Sequence, residues 1–111
     1  MRARGRIKIE ELELGTGVVV TRRSAVAIRY SVYLNHDSQI QGDERLTFVV
    51  GARRVVAGLE YGVEGMRVGG RRRIHVPPHL GYGTAGAPGV PPNANLIFEV
   101  QLLSSRPETA G

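Results

Sequence analysis

The sequence contains no cysteine, so the protein can hold neither a disulfide bond nor a thiol nucleophile. It also lacks a run of about 18 consecutive apolar residues, the length that a transmembrane helix requires. The basic start, Met1–Arg6, is not followed by an apolar signal core, and we therefore expect a cytoplasmic protein without membrane association. With 111 residues, the chain has room for one domain that buries a substantial apolar core.

Aromatic residues are scarce, and nearly all of the positive charge is arginine. The net charge of +5 permits weak attraction to acidic partners, but two phenylalanines and four tyrosines offer little surface for base stacking. Basic and aromatic residues are not interleaved, so we expect no specific nucleic-acid binding. A small basic β-domain that binds nucleic acid is the weakest of three functional hypotheses, and a steep salt dependence would be its signature.

Alternating apolar residues predict an antiparallel sheet of about five strands. In the clearest segment, Val26–Leu34, every second residue from Val26 onward is apolar or aromatic, which places Tyr30 on the core side. The first strand begins at Ile7, and a change of apolar phase between Ile9 and Leu12 predicts a bulge. The other strands are predicted at Leu46–Val50, Arg71–Val76 and Leu96–Leu103, and residues 35–44 are predicted to form a loop.

One helix is predicted, over Val55–Met66, where apolar residues recur at spacings of three and four. Gly58 and Gly62 weaken this helix by ~1 kcal/mol each relative to alanine, so it needs a sheet to pack on. The predicted fold is therefore α+β, with about five antiparallel strands and one short helix in a single domain over residues 6–105. A disordered basic arm (1–5) and a tail (106–111) complete the prediction.

The segment Val76–Phe98 is rich in proline and glycine. It cannot be a helix, because proline lacks an N–H and clashes with the preceding turn, and the same prolines restrict its flexibility. Apolar strands anchor it on both sides, which favours a functional loop. Tyr82 is flanked by glycines and has little to pack on locally, so we expect a functional side chain.

Three motifs do not carry the chemistry that they suggest. Residues 81–86 match the dinucleotide fingerprint G-x-G-x-x-G, but prolines follow where that fingerprint needs a helix. His75 and His79 are separated by Pro77 and Pro78, which forbid the helix that would bring both to one metal. Residues 71–73, all arginine, suggest either an anion patch or the solvated face of a strand. An enzyme with this sequence would work without a nucleophile, metal or cofactor.

Two segments resemble the FKBP-type peptidyl-prolyl cis-trans isomerases. They are Ala57–Gly86 (AGLEYGVEGMRVGGRRRIHVPPHLGYGTAG) and Gly89–Leu103 (GVPPNANLIFEVQLL), with a less strict continuation back to Val26–Tyr30. The resemblance covers residues 10–104. It implies a curled antiparallel sheet wrapped around one short helix, which agrees with the predicted elements, and a monomeric isomerase that acts on proline-containing peptides and unfolded chains.

The resemblance also implies a pocket, residue by residue. The catalytic group would be Tyr82, which donates its hydroxyl to a substrate carbonyl, together with Tyr30, Val56 and Phe98. The substrate-binding residues would be Val55, Leu59, Ile40, Gln41, Leu46, Phe48 and Val90. Taken one at a time, these five side chains are better explained as ordinary core residues: Tyr30, Leu46, Phe48, Leu59 and Phe98.

The sequence departs from the family pattern at several pocket positions. Leu59 replaces the tryptophan of the pocket floor, Ile40-Gln41 replaces a Phe-Asp pair, and Leu46 replaces an aromatic residue. The loop tip is one residue shorter before Pro91, and its usual histidine is Ala87. These departures imply weaker binding of macrolide inhibitors, because the missing carboxylate accepts a ligand hydroxyl, and they imply modest activity. They leave open the second hypothesis, a non-catalytic FKBP-like module that binds peptides or ligands.

Overall fold

In a computed structural model, which describes residues 7–34 and 38–107, five antiparallel strands form one sheet that curls around a short helix. The order across the sheet is β1-β4-β5-β2-β3, and every neighbouring pair is antiparallel. The elements are β1 (Lys8–Glu13), β2 (Ser24–Tyr33), β3 (Gln39–Val49), α1 (Ala57–Val63), β4 (Arg71–Val76) and β5 (Leu96–Pro107). The predicted α+β class is confirmed.

The strands agree with the prediction where apolar alternation is strong. Strand β4 has the predicted bounds, and β1 carries the predicted bulge, between Glu11 and Glu13. The prediction of a loop over residues 35–44 is wrong for 39–44, which form the first half of β3. These polar residues gain their backbone hydrogen bonds by pairing with β2, so no apolar pattern reveals them.

The two ends of the chain differ in part from the prediction. Strand β5 continues to Pro107, which pairs with Ser24, so the strand runs two residues past the predicted domain limit. The predicted arm (1–5) and the end of the predicted tail (108–111) lie outside the described residues.

The core lies between the concave face of the sheet and α1. Side chains on alternate positions of β2, β4 and β5 are buried there, as the alternation predicted. Burying each such side chain contributes about 1.5–3 kcal/mol. The fully buried core residues include Val63 of α1 and these strand residues: Ile28, Ile74, Val76, Leu96 and Leu102.

Helix α1 is shorter than predicted, with seven residues instead of twelve. It ends because Glu64 takes an extended backbone conformation (ψ 131°) and Gly65 has a φ of +89°. Arg72 then closes the end of the helix, since its Nη1 donates to the carbonyls of Gly62 (2.9 Å) and Glu64 (3.0 Å). Met66 is buried but lies beyond the helix. Within the described part of the chain, no helix is long and apolar enough to cross a membrane.

Two glycines explain how closely α1 lies against β4. A Cβ added at Gly58 would lie 2.4 Å from Cγ1 of Val76, and one added at Gly62 would lie 2.5 Å from Cδ1 of Ile74. Real side chains do not approach so closely, so only glycine fits at this contact. The cost in helix propensity that the sequence indicated is therefore offset by close packing on the sheet.

Ion pairs join β1 to β4 along their register. Arg71 pairs with Glu13 (3.8 Å), Arg72 with Glu11 (2.7 Å), and Arg73 with both Glu10 (3.2 Å) and Glu99 (2.8 Å). His75 Nε2 also lies 2.5 Å from Glu10. The interpretation of residues 71–73 as an anion patch is wrong, because acidic side chains of β1 and β5 already neutralise all three arginines.

The glycine contacts yield a stability prediction. Gly62→Ala raises intrinsic helix propensity by about 1 kcal/mol, yet we expect it to lower the free energy of unfolding by ~1–3 kcal/mol, because its Cβ displaces Ile74. Urea denaturation measures the change. Ile74→Val, which removes the Cδ1 methyl, should make the added Cβ less harmful in the double variant. A more stable Gly62→Ala protein would contradict the close contact.

The pair between Glu10 and His75 yields a pH prediction. The hydrogen bond from His75 lowers the pKa of Glu10; burial opposes this, and the charge of Arg73 adds to it. A lowered carboxyl pKa stabilises the fold above about pH 4.3, and this contribution is lost as the pH falls further. Melting temperatures should therefore fall less on acidification for Glu10→Gln than for wild type. Glu13→Gln, from the looser 3.8 Å pair, is the control; equal acid sensitivity of wild type and Glu10→Gln would contradict the prediction.

Candidate functional site

The predicted site residues fall into three layers of exposure. Four are buried: Leu59 (2%), Phe98 (3%), Phe48 (7%) and Val90 (9%). Tyr30, Ile40, Leu46, Val55 and Val56 are partly buried and pack against the same core. Gln41 and Tyr82 are exposed, Tyr82 by 41%. The intermediate layer is apolar surface that touches the core and still meets solvent, which is the property that distinguishes a binding surface from plain core.

Tyr30 is the point where several of these side chains meet. Its ring packs on Phe98 in a tilted arrangement, with ring centroids 6.4 Å apart. Its hydroxyl forms a hydrogen bond with Gln41, which the register of β2 and β3 places opposite the neighbouring Val32. The structure therefore brings Tyr30, Phe98 and Gln41 together.

The electrostatics of Tyr30 keep its hydroxyl protonated. Burial raises the pKa of Tyr30, the charge of Glu44 and the nearby Tyr82 raise it further, and the hydrogen bond with Gln41 acts in the opposite direction. Tyr82 therefore lies close enough to Tyr30 to act on it electrostatically. At neutral pH, Tyr30 is thus a hydrogen-bond donor at the edge of an apolar surface.

The loop over residues 77–95 holds Tyr82 and Val90 by its own hydrogen bonds. A single 3₁₀ turn, Pro78–Leu80, opens the loop, and the N–H of Gly83 donates to the carbonyl of Pro78 (2.8 Å). Ala87 and Val90 exchange backbone hydrogen bonds of 3.0 and 2.7 Å across the tip. As the prolines predicted, the segment forms no α-helix, and its internal hydrogen bonds give it a defined structure.

The tip of this loop packs against β3. A Cβ added at Gly89, whose φ is +78°, would lie 3.4 Å from Cγ2 of Ile40. At Gly86, with φ +69°, a Cβ would lie 2.5 Å from the carbonyl oxygen of Val90, so this turn requires glycine. The contact brings Val90 and Ile40, which are far apart in the sequence, to the same side of the molecule.

The segment before α1 supplies two further candidate site residues, Val55 and Val56. Val55 and Val56 are partly buried against the core, just ahead of the first helical residue, Ala57. The carbonyl of Val56 accepts the N–H groups of Leu59 (3.1 Å) and Glu60 (3.3 Å). Its own N–H makes no hydrogen bond to another described residue, as is usual at the start of a helix, and so can serve a ligand.

Glu60 is a residue of this region that the sequence analysis missed. Its carboxylate is only 7% exposed and accepts the backbone N–H groups of Gly51 (3.1 Å) and Arg53 (3.0 Å). These donors satisfy a buried charge that would otherwise be costly, and they fix the 51–53 loop against the helix. Glu60 follows Val56 by four residues, so helical spacing could have placed it on the apolar face.

The two histidines lie in different settings. His75 pairs with Glu10 across β4 and β1, whereas His79 is exposed in the 3₁₀ turn. Among residues 7–34 and 38–107, no group of three His, Cys, Asp or Glu side chains could hold a metal ion.

This arrangement defines a class of site. The candidate site combines half-exposed aromatic and aliphatic side chains with two tyrosine hydroxyls, an amide side chain and a backbone N–H that has no partner among the described residues. Such a surface can bury one small apolar group of an extended ligand while the polar edge fixes the flanking carbonyls. The protein is thus a small α+β domain, and its candidate binding site lies between the sheet, the helix start and the 77–95 loop.

Comparisons with known proteins agree on the family. The model of the FKBP-type peptidyl-prolyl cis-trans isomerases matches residues 17–103. The FK506-binding protein of Neisseria meningitidis serogroup A is 38% identical over 104 residues, covering 89% of this chain and 95% of that protein. FK506-binding protein 4 of Aspergillus oryzae is 41% identical over 100 residues, covering 87% of this chain and 21% of the relative.

Solved structures show the same fold. The crystal structure of FkpA from Escherichia coli superimposes with a TM-score of 0.82 at 30% identity, covering 93% of this chain and 49% of that one. The chain therefore belongs to the FKBP-type peptidyl-prolyl cis-trans isomerase family, and it spans about a fifth of the length of the fungal relatives that it matches.

The neighbourhood of Tyr30 yields a titration prediction. Glu44→Gln removes a negative charge and should lower the pKa of Tyr30, whereas Gln41→Ala removes a hydrogen bond that lowers it and should raise that pKa. A pH titration of the tyrosine Cζ resonances by NMR measures both. Glu64→Gln is the control and should leave the Tyr30 pKa unchanged. Movement in the same direction for both variants would contradict the geometry.

Proposed function

We propose that this protein is a peptidyl-prolyl cis-trans isomerase that acts on X-Pro bonds in peptides and unfolded chains. Membership of the family supports the proposal. The observation that carries it is that Tyr30, Val55 and Val56 are partly buried against the core that contains Leu59 and Phe98, while the Tyr82 side chain is exposed. A proline ring has the size and apolar character to cover such a surface.

The chemistry needs no proton transfer to a side chain. Uncatalysed isomerisation crosses a barrier of ~18–20 kcal/mol, because twisting the peptide bond breaks its amide resonance. In the planar ground state the carbonyl oxygen carries extra negative charge, which water stabilises. An apolar surface that displaces this water disfavours the planar form, and a surface that fits the twisted form lowers the barrier further.

The named residues divide this work. Val55, Val56 and Tyr30 supply the apolar surface that removes water from the prolyl bond, and the buried Phe98 and Leu59 belong to the core against which they pack. The Tyr82 hydroxyl and the Val56 N–H hold the carbonyls on either side of it, so that the chain ends stay fixed while the bond twists. Tyr30, protonated and packed on Phe98, borders the opposite wall.

The departures from the family pattern bear on the magnitude of the activity. Leu59 has less aromatic surface than the family's tryptophan, and Gln41 is neutral where the family has a carboxylate. We infer modest activity and weakened macrolide affinity. The same two residues support the alternative, a non-catalytic module that binds proline-containing peptides.

Location and assembly are proposals as well. We propose a cytoplasmic monomer. The cysteine-free composition supports the location, since a reducing compartment offers no disulfides to stabilise a small domain. The self-sufficient apolar core supports the monomer.

Exchange between the cis and trans forms of an Ala-Leu-Pro-Phe peptide, measured by NMR, tests the proposal. We expect wild type to accelerate exchange and Tyr82→Phe to reduce the effect about two- to tenfold, because one hydrogen bond of ~0.5–1.5 kcal/mol is lost. Val55→Asp should reduce it more, by placing a charge on the apolar wall. Tyr33→Phe is the matched control, because Tyr33 and the candidate site residue Tyr30 alternate onto opposite faces of β2.

The outcomes separate the two functions. No acceleration by folded wild-type protein at high concentration, together with binding of the peptide, would support the non-catalytic module. Full activity of both the Tyr82→Phe and Val55→Asp variants would show that the site lies elsewhere. Inhibition by a macrolide of the FK506 type would show that Gln41 still permits that ligand to bind.

A further inference from the structure

Four arginines on two neighbouring connections have no acidic partner among the residues that the structure describes. Arg22 and Arg23 precede β2, and Arg53 and Arg54 lie between β3 and α1; all four side chains are exposed. Within residues 7–34 and 38–107, none of them forms an ion pair, in contrast to the arginines of β4, which are all paired. We call this group the basic surface.

Backbone hydrogen bonds bring the two connections together. The N–H of Arg23 donates to the carbonyl of Val50 (2.9 Å), and the N–H of Val50 donates to the carbonyl of Ser24 (2.9 Å). The guanidinium of Arg22 lies over Gly51, where an added Cβ would be 3.2 Å from its Nη2. The fold therefore brings Arg22 close to Arg53 and to Arg23, and Arg54 follows Arg53 in the chain.

The basic surface and the proposed prolyl site share the lining of one cavity. Its volume is about 430 Å³, and Val55, a wall residue of that site, lines it together with Arg22 and Arg53. Glu60 also lines it, and its carboxylate already accepts two backbone hydrogen bonds, so the lining carries two positive charges against one negative charge. A peptide bound at the prolyl site can thus extend across Val55 into a positively charged depression.

The backbone conformation of Arg23 and Arg53 indicates that their side chains have a function other than stabilising the fold. Arg23 has a φ of +72° and Arg53 a φ of +63°, in the left-handed region that favours glycine or asparagine. Stability of the backbone does not explain arginine at either position. Strained residues of this kind concentrate at binding sites, where the side chain rather than the backbone is needed.

We propose that the basic surface binds an acidic stretch of the client polypeptide next to its X-Pro bond, so that the enzyme prefers prolines with glutamate or aspartate nearby. This inference rests on the proposed isomerase function. Guanidinium groups pair with carboxylates through two parallel hydrogen bonds, which suits acidic side chains on an extended peptide. Continuity with the apolar wall at Val55 favours a polypeptide over a nucleic acid, whose phosphates need no such wall.

Three peptides test the preference. They share an Ala-Leu-Pro-Phe centre and carry two glutamates before it, two glutamates after it, or glutamines at both places. At low ionic strength we expect kcat/KM to be about tenfold higher for one acidic peptide than for the glutamine peptide, because a focused field raises the local substrate concentration. Salt at about 0.5 M should remove most of this advantage.

Arginine variants locate the effect. Arg22→Gln/Arg53→Gln should abolish the preference and leave the rate on the glutamine peptide unchanged, whereas Arg67→Gln, which removes an exposed charge lining a different cavity, should preserve it. Arg23→Gly and Arg53→Gly should weaken the preference without lowering the melting temperature, since glycine suits their backbone. A variant that loses the preference because it misfolds would show a lower melting temperature and is recognised in this way.

The outcomes distinguish this inference from the proposed function. If the glutamine peptide is accelerated and the acidic peptides gain nothing, the basic surface proposal is overturned while the isomerase stands. If no peptide is accelerated, the isomerase proposal fails, and NMR shift titration with the acidic peptides still tests binding at Arg22 and Arg53. If the arginine variants lose affinity for a random single-stranded oligonucleotide and keep the peptide preference, the surface serves nucleic acid and our assignment is wrong.

Discussion

The close approach of α1 to β4 is the constraint on which the rest of the structure depends. Gly58 and Gly62 carry no Cβ, so the helix backbone rests directly on Val76 and Ile74. A seven-residue helix is not stable alone in water, so the sheet stabilises the helix, and the helix in turn fixes what lies around it. Its buried face places Leu59 and Val63 in the core, and its start places Val56 at the edge of the site.

The candidate site is built where three separate connections meet the concave face of the sheet. The segment before α1, the 77–95 loop and the first half of β3 each contribute a wall, and each is held by contacts with another part of the chain. Glu60 ties the 51–53 loop to the helix, and Gly89 rests on Ile40. Because these walls are ordered before a ligand arrives, binding costs less conformational entropy than it would for free loops.

The sequence was informative wherever side-chain period reports burial. Alternation located β4 to the residue and placed Tyr30 on the core side, and Tyr82, which has little to pack on locally in the sequence, is exposed in the structure; its functional role stays a prediction. Pairing partners have no such local signature. The polar first half of β3, and with it the approach of Gln41 and Glu44 to Tyr30, depends on register with a strand that is distant along the chain. The ion partners of residues 71–73 and the buried cap at Glu60 were missed for the same reason.

The Glu60 cap has a consequence for local dynamics. The amides of Gly51 and Arg53 belong to a surface loop, yet both donate to a carboxylate that is almost fully enclosed by the helix. These amide hydrogens exchange with solvent only when their hydrogen bonds to the Glu60 carboxylate break, either because α1 separates from the loop or because the Glu60 side chain changes conformation. The rate of deuterium uptake at these two amides therefore reports how often the contact between the 51–53 loop and α1 opens.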